Sequence, residues 1–236
     1  AEFARCVEEV SPKMFLFENV RGLLSHDKGR TFDTIKHTFE GLGYAVQHRV
    51  LNACYFGVGQ KRERLIVIGI RNDLADKAVF EYPEPDKEQT TLRDVLQNVP
   101  DSPYQPYSEK KRKVMAMVPP GGCWVDLPDD VAREYMGKSY FSGGGRRGMA
   151  RRIAWDEPCL TLTTSPSQKQ TERCHPDETR PFTVREYARI QSFPDDWQFE
   201  GAIGDQYKQI GNAVPVELAR RVGVEIVRAL RSCNDN

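Results

Sequence analysis

The stretch KMFLFENV, residues 13–20, decides the fold of this chain. Its apolar residues Met14 to Phe17 run without alternation and stop at a carboxylate, Glu18. A short continuous apolar run is typical of a strand that is buried on both faces, as in a parallel sheet covered by helices. Ligands of such sheets bind outside the carboxyl ends of the strands. We therefore expect Glu18 at a ligand-binding edge, where a carboxyl group held protonated could donate a proton or a hydrogen bond; a polar residue that merely ends a strand is the alternative.

Length and charge limit the class of protein. The 236 residues suffice for one large domain or two small ones with a buried core. The 34 basic and 34 acidic residues give a formal net charge of zero, so the chain as a whole is not a basic nucleic-acid binder. Any surface that binds nucleic acid must therefore be local.

The cysteines predict neither a zinc site nor a redox motif. None of the six forms a C-x-x-C pair, and Cys174 and His175 are adjacent, which is awkward for two ligands of one metal, so no metal is expected. A reducing, intracellular setting is the simpler interpretation. No apolar run reaches membrane-spanning length, and no signal peptide is visible.

Helices and strands alternate on both sides of residues 13–20. Residues 1–10 have helical spacing of apolar side chains and lead straight into the strand, as in the middle of an α/β domain, so we expect a further segment upstream. The chain continues with a helix from about Phe32 to Leu42, a strand over 45–51 and a strand over 65–70. This alternation predicts a parallel or mixed sheet with helices on its faces.

The composition and the hydrophobic periodicity of the sequence change after residue 80. Prolines recur and periodicity fades until about residue 180, which predicts a second, smaller and irregular domain. Within it, residues 138–152 contain five basic residues and no acidic one, together with three consecutive glycines. Charge of one sign on a glycine-containing loop suits contacts to phosphate groups. A solvated loop is the alternative.

Regular structure returns at Thr183. The sequence Thr183-Val184-Arg185-Glu186 matches a capping box, which predicts a helix that stops before Pro194. Trp197 and Phe199 are expected to be core residues. A helical turn over 204–209, a loop over 211–215 and a last helix starting near Pro215 complete the chain.

Four motifs together resemble the DNA cytosine-5 methyltransferases, most closely the bacterial restriction–modification type. They follow one another in the family's order and cover almost the whole chain. They are Glu18-Asn19-Val20 after a strand, Gln60-Lys61-Arg62-Glu63-Arg64 before another, Arg180 through Pro194, and Gln209-Ile210-Gly211-Asn212-Ala213-Val214-Pro215.

The resemblance implies a chemistry for the first two motifs. In the family a cysteine thiolate adds to carbon 6 of a flipped cytosine, and carbon 5 then takes a methyl group from S-adenosylmethionine. By resemblance Glu18 engages ring nitrogen 3 and stabilises the charge that develops on the ring. Arg64 is expected to contact the base and brace the glutamate, and Arg62 to orient neighbours or the DNA backbone. Surface cations before a strand are the alternative for both arginines.

The resemblance also implies binding sites and lobes. Asn212, Ala213 and Val214 would close the S-adenosylmethionine pocket; a plain helix-start turn is the alternative. Residues 1–78 and 205–236 would form part of a Rossmann-like catalytic lobe, and 79–204 a target-recognition lobe that binds double-stranded DNA. A cytoplasmic, nucleoid-associated bacterial protein is implied. The residues expected to contact DNA are Arg146, Arg147, Arg151, Lys169, Arg173 and Arg185.

Two parts of the family's pattern are not found in these residues. The glycine-rich cofactor motif is absent, and so is the Pro-Cys loop that precedes the Glu-Asn-Val strand; Pro158-Cys159 follows that strand and is a decoy. We expect the nucleophile on an upstream segment or a partner subunit. The competing hypothesis is a non-catalytic DNA-binding or regulatory subunit of a split methyltransferase.

Overall fold

The computed structural model describes residues 2–141 and 148–233, which form two compact units. The sheet unit contains the residues up to Ala53, Glu63–Pro85 and the residues from Ala219 onward, and the irregular unit contains Cys54–Arg62 and Asp86–Leu218. The strands are β1 (Met14–Val20), β2 (Tyr44–Asn52), β3 (Gln60–Lys61), β4 (Glu63–Arg71) and β5 (Cys159–Leu160). The helices are α1 (Glu2–Val10), α2 (Arg30–Gly41), α3 (Leu92–Val95), α4 (Glu109–Ala116), α5 (Asp129–Met136), α6 (Val184–Ile190), α7 (Ile203–Asn212) and α8 (Val216–Ser232).

Three strands form the sheet of the sheet unit. β4 lies at its centre, and β1 and β2 pair with β4 on either side, both antiparallel. The predicted α/β fold is confirmed, but the expectation of a parallel or mixed sheet is wrong for these three strands, because both of their pairings are antiparallel. The reason is that Asn52 at the end of β2 pairs with Glu63 at the start of β4, so the chain returns beside the strand that it has just left.

One face of this sheet is covered by α1 and α2. Phe15 of β1 lies in a buried cluster with Val7 of α1, Phe39 of α2 and Tyr44 of β2. Gly69 of β4 is opposite Phe15, and a Cβ atom there would come within 2.0 Å of the phenyl ring. Residue 69 must therefore be glycine for the Phe15 ring to lie over β4 and pack against α1 and α2.

Strand β1 is buried on one face rather than on two. Leu16, on the face opposite Phe15, is 38% exposed, although its partner Ile68 on the central strand is fully buried. The expectation of burial on both faces is wrong at Leu16. An apolar run therefore does not by itself distinguish a half-exposed strand from a fully buried one.

Helix α6 is at the centre of the irregular unit. Its predicted capping box is confirmed: the Glu186 N–H donates to the Thr183 hydroxyl at 3.2 Å, and the Thr183 N–H donates to the Glu186 carboxylate at 2.7 Å. Tyr187 of α6 and Tyr207 of α7 are fully buried, with their ring centroids 5.1 Å apart in an edge-to-face arrangement. This packing fixes α7 against α6.

Two sequence-based expectations for this region are wrong in detail. Helix α7 continues through Gly211 to Asn212, so the loop expected from residue 211 begins at Ala213. Trp197 is 54% exposed and is not a core residue, whereas Phe199 packs against the core that contains α6.

The compact units differ from the expected lobes in their bounds. Residues 205–218 belong to the irregular unit because Tyr207 and Ile210 share a buried cluster with Tyr187. The functional division into a catalytic lobe and a target-recognition lobe stays a prediction.

Over residues 2–141 and 148–233, no helix is long and apolar enough to cross a membrane. Within the same ranges, no group of three or more His, Cys, Asp or Glu side chains could hold a metal ion.

Candidate active site

Glu18 and Arg64 form an ion pair at one end of the sheet. Arg64 Nε lies 2.8 Å from Glu18 Oε1. The register explains the contact: Val20 pairs with Arg64 and Glu18 with Ile66, so Glu18 and Arg64 are diagonal neighbours on one face of antiparallel strands. A long side chain can span that diagonal. The sheet thus brings together the carboxylate and the guanidinium that the first two motifs were expected to supply.

The pair is half-sheltered from solvent. The Glu18 side chain is 24% exposed and that of Arg64 is 13% exposed. Burial lowers the pKa of the Arg64 guanidinium, and the Glu18 carboxylate opposes that effect. Arg64 also donates from Nη1 to the Glu63 carbonyl at 2.8 Å. The guanidinium is therefore held from two sides, and it orients a carboxylate that a ligand can still reach.

Arg62 has a different role from Arg64. Residue 62 lies between β3 and β4, and its side chain is only 4% exposed. Its Nη2 donates to the carbonyls of Gly211 and Ala213, each at 3.0 Å, and its Nη1 donates to the Leu162 carbonyl at 3.2 Å. Of the two roles expected for Arg62, orienting neighbours or the DNA backbone, these buried contacts favour the first. The guanidinium ties together the backbone of the irregular unit.

The end of α7 and the turn that follows it carry the three residues expected at the cofactor. Asn212 is exposed at the end of the helix, while Ala213 and Val214 are half-buried. An exposed carboxamide beside small apolar side chains offers donor, acceptor and apolar surface together. This donor set fits one wall of a pocket for a nucleoside with a polar tail, such as S-adenosylmethionine.

The residues expected to contact DNA differ in their surroundings. Arg146 and Arg147 lie outside the described residues. Lys169 is exposed, with its Nζ 5.2 Å from the centre of the Tyr135 ring. Arg185 donates to the carbonyls of Pro194 and Trp197 at 3.0 and 2.9 Å, so it supports its own surroundings.

Two further arginines of this set have guanidinium groups that are already committed within the protein, which argues against a contact to DNA. Arg173 is 4% exposed and donates to the carbonyls of Leu160, Thr161 and Glu172. The Arg151 side chain is 13% exposed and donates to both oxygens of Glu157, at 2.7 and 2.8 Å. Such groups hold protein segments together and have little surface left for a phosphate.

A buried carboxylate that sequence reasoning missed organises the same region. Glu172 is fully buried, and its oxygens accept from the Tyr135 hydroxyl at 2.8 and 2.7 Å and from the Ala150 N–H at 2.5 Å. Lys111 completes the site as an ion-pair partner. The sequence signal was slight: Glu172 stands between the cations Lys169 and Arg173.

The cysteine after Pro158 is shielded from solvent. Cys159 is fully buried in β5, where its residue pairs with Gln60 of β3. Burial raises the pKa of its thiol to about 12. Since a thiolate is the reactive form, the side chain of Cys159 is unsuited to nucleophilic attack at neutral pH.

Comparison with solved structures places the chain in a class, that of α/β proteins with a methyltransferase fold. The solved Dnmt2 methyltransferase of S. pombe shares this fold with a TM-score of 0.58, over 93% of this chain and 68% of that chain at 15% identity. The chain belongs to the C-5 cytosine-specific DNA methylases, whose family model matches residues 1–228. The family predicted from the four motifs is thus confirmed.

Curated relatives agree with this family. The chain is 58% identical over 234 residues to the Type II methyltransferase M.Sau96I of Staphylococcus aureus. This alignment covers 98% of this chain and 54% of that protein. The chain is also 56% identical over 241 residues to the Type II methyltransferase M.Eco47II of Escherichia coli. That alignment covers 99% of this chain and 58% of that protein. The chain spans about half the length of these relatives.

Proposed function

We propose that this chain is part of a DNA cytosine-5 methyltransferase that modifies a cytosine within a short duplex site, as the modification enzyme of a restriction–modification system. The Glu18–Arg64 ion pair carries the proposal, because it joins two of the family's motifs at 2.8 Å. The family membership of residues 1–228 supports it. The place of action would then be the bacterial cytoplasm, on nucleoid DNA.

Glu18 would act on the ring of a flipped cytosine. Its carboxyl group engages ring nitrogen 3 and stabilises the negative charge that develops when a thiolate adds to carbon 6. Arg64 holds that carboxyl group in one orientation and presents its own cation to the base. Stabilisation of this kind is effective because the pair is already in place before the reaction starts.

S-adenosylmethionine would supply the methyl group when bound. Asn212 would contribute polar contacts to it, and Ala213 and Val214 an apolar wall. Double-stranded DNA is the proposed substrate, with Lys169, Arg146 and Arg147 as candidate phosphate contacts. The lobe over 79–204 would read the site, and the lobe formed by 1–78 and 205–236 would hold the reacting base.

The thiolate needs a source beyond these 236 residues. Cys54, Cys123, Cys159 and Cys174 are buried, and Cys233 is half-buried. Cys6 is exposed but lies in the middle of helix α1 rather than in a loop. We therefore propose that an additional segment or a partner subunit carries the nucleophile, as in the Pro-Cys loop of the family.

Transfer of a tritiated methyl group to duplex DNA tests this function. The full gene product should label carbon 5 of cytosine, whereas residues 1–236 alone should label none until the missing segment is added. Label on another atom, or none from the full gene product, would contradict the proposal. A non-catalytic DNA-binding subunit would bind DNA and never label it; the resemblance to Type II methyltransferases favours the enzyme over that alternative.

A further inference from the structure

Three buried polar side chains lie beneath the end of helix α7, within the irregular unit. Gln60 and Gln191 are fully buried and Arg62 is 4% exposed. We call these three residues the amide relay. They come from two motifs far apart in the sequence.

The relay satisfies the carbonyl groups at the end of α7. Gln191 Nε2 donates to the Ile210 carbonyl at 2.7 Å and to the Ala213 carbonyl at 3.4 Å. Arg62 donates to the carbonyls of Gly211 and Ala213. The last carbonyls of a helix have no partner within the helix and must find one elsewhere. Here buried side chains donate to these carbonyls in addition to the Ala213 N–H, which lies 3.2 Å from the Ile210 carbonyl, and together they hold the point where the chain leaves the helix.

The orientation of each glutamine amide is fixed by its contacts. Because Gln191 Nε2 faces carbonyls, its Oε1 is the acceptor, and Gln60 Nε2 donates to that oxygen at 2.9 Å. Gln60 Oε1 in turn accepts from the Leu162 N–H at 2.8 Å. A flip of either amide would bring two donors or two acceptors together. The relay therefore has one arrangement.

The other side of the turn is held by backbone contact. A Cβ atom at Gly211 would lie 2.2 Å from the Thr163 carbonyl oxygen, so residue 211 must be glycine for α7 to lie against that segment. The amide relay thus binds the carbonyl groups of the segment 210–213. On the other side, the Thr163 carbonyl packs closely against Gly211. Asn212, within this segment, is exposed.

We propose that Gln191 and Gln60 are positioning residues for the cofactor: the amide relay presets the backbone of 210–213 so that Asn212 is presented to S-adenosylmethionine without prior ordering of the turn. A binding loop that is already in its bound conformation gains affinity because less conformational entropy is lost on binding. This inference rests on the proposed function, which assigns residues 212–214 to the cofactor.

The main test compares Gln191→Met with Gln206→Met in the full gene product. Methionine has the shape of glutamine but donates no hydrogen bond, so it removes the side-chain donor from the Ile210 carbonyl, which then keeps the Ala213 N–H. Gln206 lies on the same helix, before the motif that starts at Gln209, and its amide donates to the Gly201 carbonyl, which makes it the matched control. We expect Gln191→Met to weaken binding of S-adenosylhomocysteine about tenfold, a loss typical of a buried hydrogen bond. Gln206→Met should leave that affinity within twofold.

Two further readouts distinguish positioning from general destabilisation. Affinity for duplex DNA should change less than twofold in Gln191→Met, and amide hydrogen exchange over 210–214 should accelerate without cofactor present. The double variant with Gln60→Met should bind the cofactor scarcely more weakly than Gln191→Met alone, because the relay acts as a unit. Equal losses of cofactor and DNA affinity, or unchanged exchange, would overturn the proposal.

The outcomes also separate this inference from the proposed function. If the unaltered protein does not bind S-adenosylhomocysteine, the cofactor assignment fails and the proposal falls with it. If the unaltered protein binds and Gln191→Met binds equally well, only the positioning role is overturned. Should Gln191→Met fail to fold, Gln60→Met takes its place in the same measurements, since it removes the donor to the Gln191 oxygen without adding a charge.

Discussion

Arg64 Nε lies 2.8 Å from Glu18 Oε1. The two residues are diagonal neighbours on the same face of two antiparallel strands, β1 and β4. Two residues earlier, Arg62 is buried against the carbonyls of the irregular unit. The difference arises because the strand pattern breaks at residue 62, between β3 and β4. Alternation along a strand would have placed residues 62 and 64 on the same face, so the break gives two similar arginines separate roles.

Replacing Glu18 by glutamine should slow methyl transfer by about two to three orders of magnitude, because a group that stabilises the developing charge is lost. DNA binding should change little. The matched control is Glu63→Gln, since Glu63 also pairs with an arginine, Arg21 at 2.9 Å, but is more exposed. Single-turnover rates on duplex DNA measure the effect. A rate for Glu18→Gln near that of the unaltered enzyme would remove Glu18 from the mechanism.

Leucine substitution should separate the two arginines of the second motif. Arg62→Leu should lower the free energy of unfolding by about 3 kcal/mol, because it leaves several buried carbonyls without donors. Arg64→Leu should cost about 1 kcal/mol, because it breaks a partly exposed pair, and should impair catalysis more than stability. Urea denaturation with rate measurements on both variants gives the comparison. Similar losses of stability would show that the assigned division of roles is mistaken.

Much of the fold could be predicted from local pattern. The alternation of helices and strands gave α1, β1, α2, β2 and β4, and the capping box gave the start of α6. The relative direction of the strands was harder to predict from the sequence. The pairing of Asn52 with Glu63 is a tertiary contact, and the pattern of apolar residues does not encode it.

The roles of the basic residues could not be read from their charge. Arg151 and Arg173 were both expected to contact DNA, yet both guanidinium groups are used inside the protein. A sequence gives the number of cations but not the carbonyls that surround them after folding. The same holds for Gln60 and Gln191, whose partners lie on segments distant in the sequence.

Exposed cations should control the salt dependence of DNA binding. Lys169→Ala should weaken DNA binding and reduce the slope of log K against log salt by about one, the value expected for one lost phosphate contact. Arg146→Ala combined with Arg147→Ala should reduce it further. Lys110→Ala is the control, because Lys110 is exposed but already pairs with Glu134. An unchanged slope in the Lys169 variant would assign Lys169 to the solvated surface.

Stability should fall as the solution becomes mildly acidic. Burial lowers the pKa of His175, an effect that Glu186 opposes, and Arg180, Glu178 and Asp177 also face the ring. Its Nδ1 accepts from the N–H groups of Asp177 and Glu178, at 3.3 and 3.1 Å, so the neutral ring is required. The unfolded chain then binds more protons than the folded chain below about pH 6.5, and stability is lost as pH decreases through that range.

Thermal unfolding between pH 7.5 and 5.5 checks this effect. His175→Asn keeps an acceptor near the position of Nδ1 but does not titrate, so its melting temperature should depend less on pH. His37→Asn, at an exposed site on α2, should retain the dependence of the unaltered protein. An equal pH dependence in all three proteins would mean that other groups cause the loss.

Cys159 should be inert although it follows a proline, as the nucleophile of the family does. Its pKa is raised by burial to about 12, so almost none of it is thiolate at neutral pH. Iodoacetamide at pH 8 should therefore modify the exposed Cys6 and leave Cys159 unmodified until the protein is unfolded. Peptide mapping by mass spectrometry measures both. Cys159→Ala should also retain methyl transfer in the full gene product, and a covalent adduct with a 5-fluorocytosine duplex should map to a cysteine other than 159. An adduct on Cys159, or loss of transfer by a well-folded Cys159→Ala variant, would make it the nucleophile and reverse this assignment.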